Sequence, residues 1–86
     1  MANDNYNLAE STSQNRMILD YLKDGNKITS LEAINKFGCT RLPSRVVDIE
    51  KMIGYPLSRK RIKVTNRFGR EVWVMQYWYE DKPTIN

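Results

Sequence analysis

Apolar positions in this chain follow two different periods. Up to Gly54 they recur every three or four residues; after it they recur every second residue. The first period predicts helices and the second predicts strands. Met17, Ile18, Tyr21 and Leu22 fall on one helical face, with Ser11-Thr12-Ser13-Gln14 offering hydroxyl chemistry for a helix start and Asp24-Gly25-Asn26 for its end. Residues 1–10 are polar, Asn-rich and without period, and read as a mobile N-terminal tail. Lys27-Ile28 is a short extended link. Thr29-Ser30-Leu31-Glu32 is a capping box, in which the Thr29 hydroxyl accepts from the Glu32 amide and Glu32 reaches back. Leu31, Ile34 and Phe37 follow at helical spacing with Ala33 beside them, until Gly38 stops the second helix. Leu42, Val46, Ile49 and Ile53 form the stripe of a third helix, with Thr40 as N-cap, Pro43 tolerated in the first turn and Gly54 at the end.

Past Gly54, Ile62 and Val64 alternate with Arg61 and Lys63, and Val72 and Val74 with Trp73 and Met75. Asn66-Arg67-Phe68-Gly69 between them is turn chemistry, so the pair is a β-hairpin that ends at Tyr77-Trp78-Tyr79. If Val72 and Val74 face inward, Trp73 points outward and marks a partner or dimer contact. The other aromatics, Tyr77, Trp78 and Tyr79, are expected to close the core. Residues 80–86 are polar, contain Pro83 and read as a C-terminal tail, which leaves 11–79 as the domain. The element order is helix, link, helix, Gly turn, helix, basic hairpin. It predicts an α+β fold, a winged helix-turn-helix of three helices followed by a β-hairpin wing, with Phe37-Gly38-Cys39-Thr40 as the turn between the paired helices.

Composition narrows the function. Eighty-six residues suit one domain, and 41% hydrophobic content excludes wholesale disorder. The one cysteine, Cys39, allows no intramolecular disulfide and reads as a small buried residue. Histidine is absent, which removes Cys/His zinc sites and histidine acid–base catalysis. There is no Gly-rich phosphate loop, no carboxylate pair in an apolar setting and no nucleophile beside a base. The expectation is therefore a non-enzyme with no cofactor, no metal and no small-molecule substrate. No apolar run reaches the length of a membrane span, and the N-terminus lacks the basic and apolar regions of a signal peptide, so a reducing, cytoplasmic setting is expected. The methionines after Met1 read as core filler.

Charge concentrates where the period changes. Residues 41–70 carry nine basic and two acidic side chains, net +7, in a chain of net charge +4. Such a surface attracts a polyanion, although a solvated basic face would look the same in sequence. On the third helix Thr40, Arg41, Ser44, Asp48 and Lys51 lie opposite the apolar stripe, with Val47 at the edge and Arg45 on a flank. Recognition helices read bases with their N-terminal half. Arg41, Ser44, Arg45 and Asp48 are therefore the base-contact candidates: Arg for guanine O6 and N7, Asp for a cytosine amino group. Asp48 is equally suited to an ion pair with Arg45 or Lys51. Thr40, Lys51, Arg59, Lys60, Arg61, Lys63, Arg67 and Arg70 suit the backbone or minor groove. Arg59-Lys60-Arg61 would also serve as a charged strand edge that resists aggregation.

These stretches resemble the small winged helix-turn-helix domains of phages and prophages. The matching residues are Ile28-Thr29, Leu31-Glu32-Ala33, Phe37 to Leu42, Ser44-Arg45, Asp48-Ile49, Gly54-Tyr55-Pro56-Leu57, Asn66-Arg67-Phe68-Gly69 and Tyr77-Trp78, covering roughly residues 14–79. Val47 departs from the pattern where a polar residue is expected, and Trp73 where a charged one is. The resemblance implies the fold and double-stranded DNA as partner, in a small regulator or accessory factor. Two other readings stay open: a protein-interaction module whose basic face meets an acidic partner, and single-strand binding through exposed aromatics. Association with a second copy, or with a phage or host protein, is open too.

Overall fold

Twenty residues from Asp4 to Lys23 form the first helix, α1. The computed structural model describes residues 4–81, and side chains from residue 12 onward. Helix α1 begins seven residues before the hydroxyl cluster expected to cap it. No proline or glycine interrupts residues 4–10, and Ser11-Thr12-Ser13 lie inside the helix, where hydroxyl residues are weak formers but do not stop it. The tail expected over residues 1–10 is thus helical backbone from Asp4. Residues 1–3, and residues 82–86 of the expected C-terminal tail, lie outside the described residues.

The buried face of α1 also differs from the hydrophobic stripe. Asn15, Ile18, Leu19 and Leu22 are buried, whereas Met17 is 43% exposed. At 3.6 residues per turn Met17 sits about 150° from the centre of that face. The true face escaped the sequence pattern because a polar residue, Asn15, lies within it.

After α1 the chain makes a two-residue strand, β1 (Lys27–Ile28), and an eight-residue helix, α2 (Ser30–Phe37). The capping box forms in full: the Thr29 hydroxyl accepts from the Glu32 amide, and the Glu32 carboxylate accepts from the Thr29 amide at 2.9 Å. Helix α2 buries Ala33 and packs Phe37 on the core, while Leu31 is 64% and Ile34 43% exposed. The small Ala33 lets the helix backbone approach its neighbours. Leu31 lies about 140° from the middle of the Ala33–Phe37 face, so it cannot join the core. Gly38 ends α2 at φ 65°, a left-handed conformation that favours glycine.

Helix α3 spans Leu42–Ile53. Its N-cap is Arg41, not the expected Thr40, and no side chain caps it. The Arg41 carbonyl accepts from the amides of Ser44 and Arg45 at 3.1 and 3.2 Å, and Pro43, which has no N–H, asks for no partner in the first turn. Leu42, Val46 and Ile49 are buried and Ile53 packs beside them.

Strands β2 (Ser58–Thr65) and β3 (Glu71–Trp78) pair antiparallel along their whole length, from Ser58 opposite Trp78 to Thr65 opposite Glu71. Strand β1 adds to the other edge of β3, with Ile28 opposite Tyr77, so the sheet order is β1-β3-β2. Cys39, Leu57 and Tyr77 complete the core built by the three helices. The fold is a winged helix-turn-helix in architecture, with the wing carried by β2 and β3.

Alternation along β3 places Met75 and Tyr77 on the core side, and Tyr79, just past its end, packs there too. Val72 and Val74 therefore face away from the core, against the inward orientation considered from the sequence. They pair across the strands with Val64 and Ile62 and are half-buried by that pairing. Trp73 is on the core side of the strand, but core contact ends at Met75 and Trp73 stays 57% exposed. The methionines are not uniformly core filler either: Met52 is 49% exposed.

Candidate nucleic-acid interface

Of the site residues expected from the sequence, Thr40 and Arg41 precede α3, Ser44, Arg45, Asp48 and Lys51 lie on it, Arg59, Lys60, Arg61 and Lys63 lie on β2, and Arg67 and Arg70 lie in the hairpin turn. Thr40 and Arg41 are exposed at the start of α3, Ser44 is half-buried one turn on, and Lys51 is exposed near its end. Val47 stands between them and is 50% exposed. Arg41 and Lys51 have no ion pair among the described residues.

Arg45 and Asp48 are engaged within the fold. Their side chains form an i,i+3 ion pair at 3.5 Å, with Arg45 only 13% exposed. Asn15 of α1 donates from Nδ2 to the same Asp48 oxygen at 3.3 Å. The cluster joins α1 to α3, but it is not saturated: Asn15 Oδ1 and Arg45 Nε are buried without a hydrogen-bond partner among the described residues. Gln14 adds a second tie, donating from Nε2 to the carbonyls of Phe37 and Gly38 at 3.5 and 3.4 Å. Helix α1 thus fixes both the turn before α3 and the first half of α3 itself.

The wing is joined to α3 by a residue outside the expected site residues, next to Ile49 of the apolar stripe. Glu50 accepts from the backbone amide of Leu57 at 2.9 Å and from the guanidinium of Arg59. Arg59 also lies over the Tyr77 ring, 5.2 Å from its centroid. Arg59 is accordingly committed to the junction between helix and wing. No sequence motif marks Glu50. The available signal is its position, one turn before the Gly54 stop and shortly before the cationic run that opens β2 at Arg59.

Farther along the hairpin the cations are more open. Lys60, Arg61, Lys63, Arg67 and Arg70 are all exposed. Lys63 pairs with Glu71 at 3.5 Å. Arg61 and Lys63 both lie over the exposed Trp73 ring, 5.3 and 5.4 Å from its centroid, a cation–π arrangement on one strand face. The tip is closed by hydrogen bonds. Asn66 Oδ1 accepts from the amides of Phe68 and Arg70, at 2.9 and 3.0 Å, the Asn66 carbonyl accepts from Gly69, and the Asn66 amide donates to the Arg70 carbonyl. Gly69 holds φ 80°, as a three-residue hairpin loop requires.

Among the described residues no group of three or more His, Cys, Asp or Glu side chains could hold a metal ion, and no helix is long and apolar enough to cross a membrane. Cys39 is a buried free thiol. Compared with known proteins, residues 13–78 match the family model of a winged helix-turn-helix domain. No curated protein and no solved structure gives a match.

Proposed function

Because the chain belongs to the winged helix-turn-helix family, we propose that it binds double-stranded DNA sequence-specifically, with α3 in the major groove and the wing on the backbone or minor groove. Domains of this family are typically DNA-binding modules without catalytic activity. The observation that carries the proposal is spatial. The basic third of the chain folds into two joined elements, α3 and the wing, with Glu50 binding the first to the second. A helix with Arg41 exposed at its N-cap and Ser44 half-buried one turn on, beside a hairpin of exposed cations, suits a duplex better than a flat anionic surface.

Within that proposal the site residues take different roles. Arg41 and Ser44 are the accessible base readers. Arg45 and Asp48 read bases only by exchanging their mutual pair, which the unpartnered Arg45 Nε makes easier. Thr40, Lys51, Lys60, Arg61, Arg67 and Arg70 meet phosphates or the minor groove, Lys63 does so only by leaving Glu71, and Arg59 sets the wing. The setting is cytoplasmic, and the role is that of a small phage or prophage regulator or accessory factor. An 86-residue reader covers few base pairs, so useful specificity calls for a second copy, tandem sites or another protein.

The test is anisotropy of labelled duplexes between about 50 and 200 mM salt, followed by selection from a random duplex library. Steep weakening with salt and a recovered consensus are expected. The competing reading, a protein-interaction module, draws on Leu31 and Ile34, exposed side by side on α2. No binding to any duplex at low salt would move the conclusion to it.

A further inference from the structure

The wing tip carries a residue that the charge argument does not use. Phe68 is 77% exposed, the most open of the large apolar side chains in the described residues. It sits at the third position of the turn Asn66-Arg67-Phe68-Gly69, where polar residues ordinarily stand. Nothing apolar covers it. Its ring contact is the Arg67 guanidinium, 5.4 Å from the centroid. The turn beneath it is held by the Asn66 side chain and backbone and by the left-handed Gly69. An aromatic ring is therefore presented on a hydrogen-bonded turn, between Arg67 and Arg70, both exposed.

We propose that Phe68 is a wedge that inserts between base pairs from the minor groove and kinks the duplex. The inference rests on the duplex-binding reading above and adds to it a defined action on DNA shape. Apolar side chains act in this way when neighbouring cations hold them at the groove, and the kinks span roughly 20–90°. Arg67 and Arg70 supply those cations. A hairpin end is narrow enough to enter a minor groove about 6 Å wide, whereas α3 is not. The turn is already closed by its hydrogen bonds, so little order has to be gained on insertion. Unstacking is easiest at pyrimidine–purine steps, so the wing should favour TA or CA steps at a fixed distance from the bases read by α3.

The experiment uses the full chain and a duplex taken from the library selection, labelled at both ends for energy transfer. Wild-type protein should bring the ends together. Phe68→Ala should bind with the same salt slope, leave the duplex straight and lose affinity on the order of tenfold. Phe68→Leu, which keeps an apolar wedge, should retain the bend. The flexible step should disappear from sequences selected by Phe68→Ala. Thermal melting should be unchanged in both variants, since the side chain is exposed. A wild-type complex that binds with a salt slope but stays straight, or a Phe68→Ala complex that bends as wild type does, overturns the wedge and leaves duplex binding standing. Absence of duplex binding by wild type overturns both. Tighter binding to the single strand than to the duplex, or loss of self-association in Phe68→Ala by sedimentation, would assign the ring to another contact and also overturn it.

Discussion

Glu50 is the point at which the helix and the wing can be separated by one substitution. Its carboxylate is 22% exposed and holds the amide of Leu57, a residue 3% exposed, together with the Arg59 guanidinium. Glu50→Ala removes a charge-assisted hydrogen bond and leaves a partly buried N–H without its acceptor, each worth about 1–3 kcal/mol in overlapping measure. The Arg59 pair adds little, because Arg59 is 40% exposed and solvent screens it. A net loss of about 2–3 kcal/mol follows, which in a domain of this size lowers Tm by about 10–20 °C. Glu50→Gln keeps an acceptor for the Leu57 amide and gives up only the charge, so it should cost about 1 kcal/mol. Urea and thermal denaturation followed by circular dichroism measure both. If Glu50→Ala stays within about 0.5 kcal/mol of wild type, or if Gln is as damaging as Ala, the amide contact is not what holds the junction. On DNA, at a temperature where both variants are folded, the Ala variant should lose affinity with little change in sequence preference, because the wing loses its fixed position and α3 does not.

Other outcomes follow from the same geometry. Asp48→Ala strands a mostly buried Arg45 and should cost about 1–2 kcal/mol, discounted because Asp48 is 38% exposed. Arg45→Met, of similar bulk, should be near neutral in the same denaturation assay and should suppress the Asp48→Ala loss in the double variant. Gly38→Ala meets open space around its Cβ, so only the left-handed backbone opposes it, and a loss of about 1–2 kcal/mol in thermal melting is expected. Arg41→Ala should lose about 1–3 kcal/mol at the selected site and relax discrimination there, whereas Arg67→Ala should weaken all duplexes alike and lower the salt slope by about one unit; quantitative library selection separates the two.

What the sequence disclosed and what it hid divide along physical lines. Elements announced by local chemistry were legible: the capping box at Thr29 and Glu32, the glycine stop at Gly38, and the alternating hairpin with its Asn66–Gly69 turn. Faces were less so. The stripe Leu31, Ile34 and Phe37 looked continuous, yet an eight-residue helix can bury only one side, and packing chose the side with Ala33. On α1 the buried Asn15 broke the hydrophobic pattern because its partner, Asp48, is 33 residues away. Glu50 was hidden for the same reason: a charged residue beside a core stripe makes sense only when the amide of Leu57 and the guanidinium of Arg59 are brought to it. On β3, Tyr77 and Tyr79 close the core as expected, but the inward orientation considered for Val72 and Val74 does not hold: both faces carry apolar residues, and only contact with the helical core tells Met75 and Tyr77 from Val72 and Val74.

That distinction changes what the basic third of the chain can do. Nine cations between residues 41 and 70 would suggest nine phosphate ligands. Arg45 is spent on Asp48, Arg59 on Glu50, and Lys63 is paired with Glu71. Arg41, Lys51, Lys60, Arg61, Arg67 and Arg70 remain without a carboxylate partner among the described residues. At about 0.9 counterions released per phosphate neutralised, they set a ceiling near −5 for the slope of log K against log salt, where a count of all nine would give about −8. A measured slope within the ceiling means that the internal pairs persist on DNA. A steeper slope means that they open, and the buried, under-partnered Arg45 is the first that gains by doing so, since a phosphate or a guanine edge would satisfy the Nε that Asp48 leaves unmet.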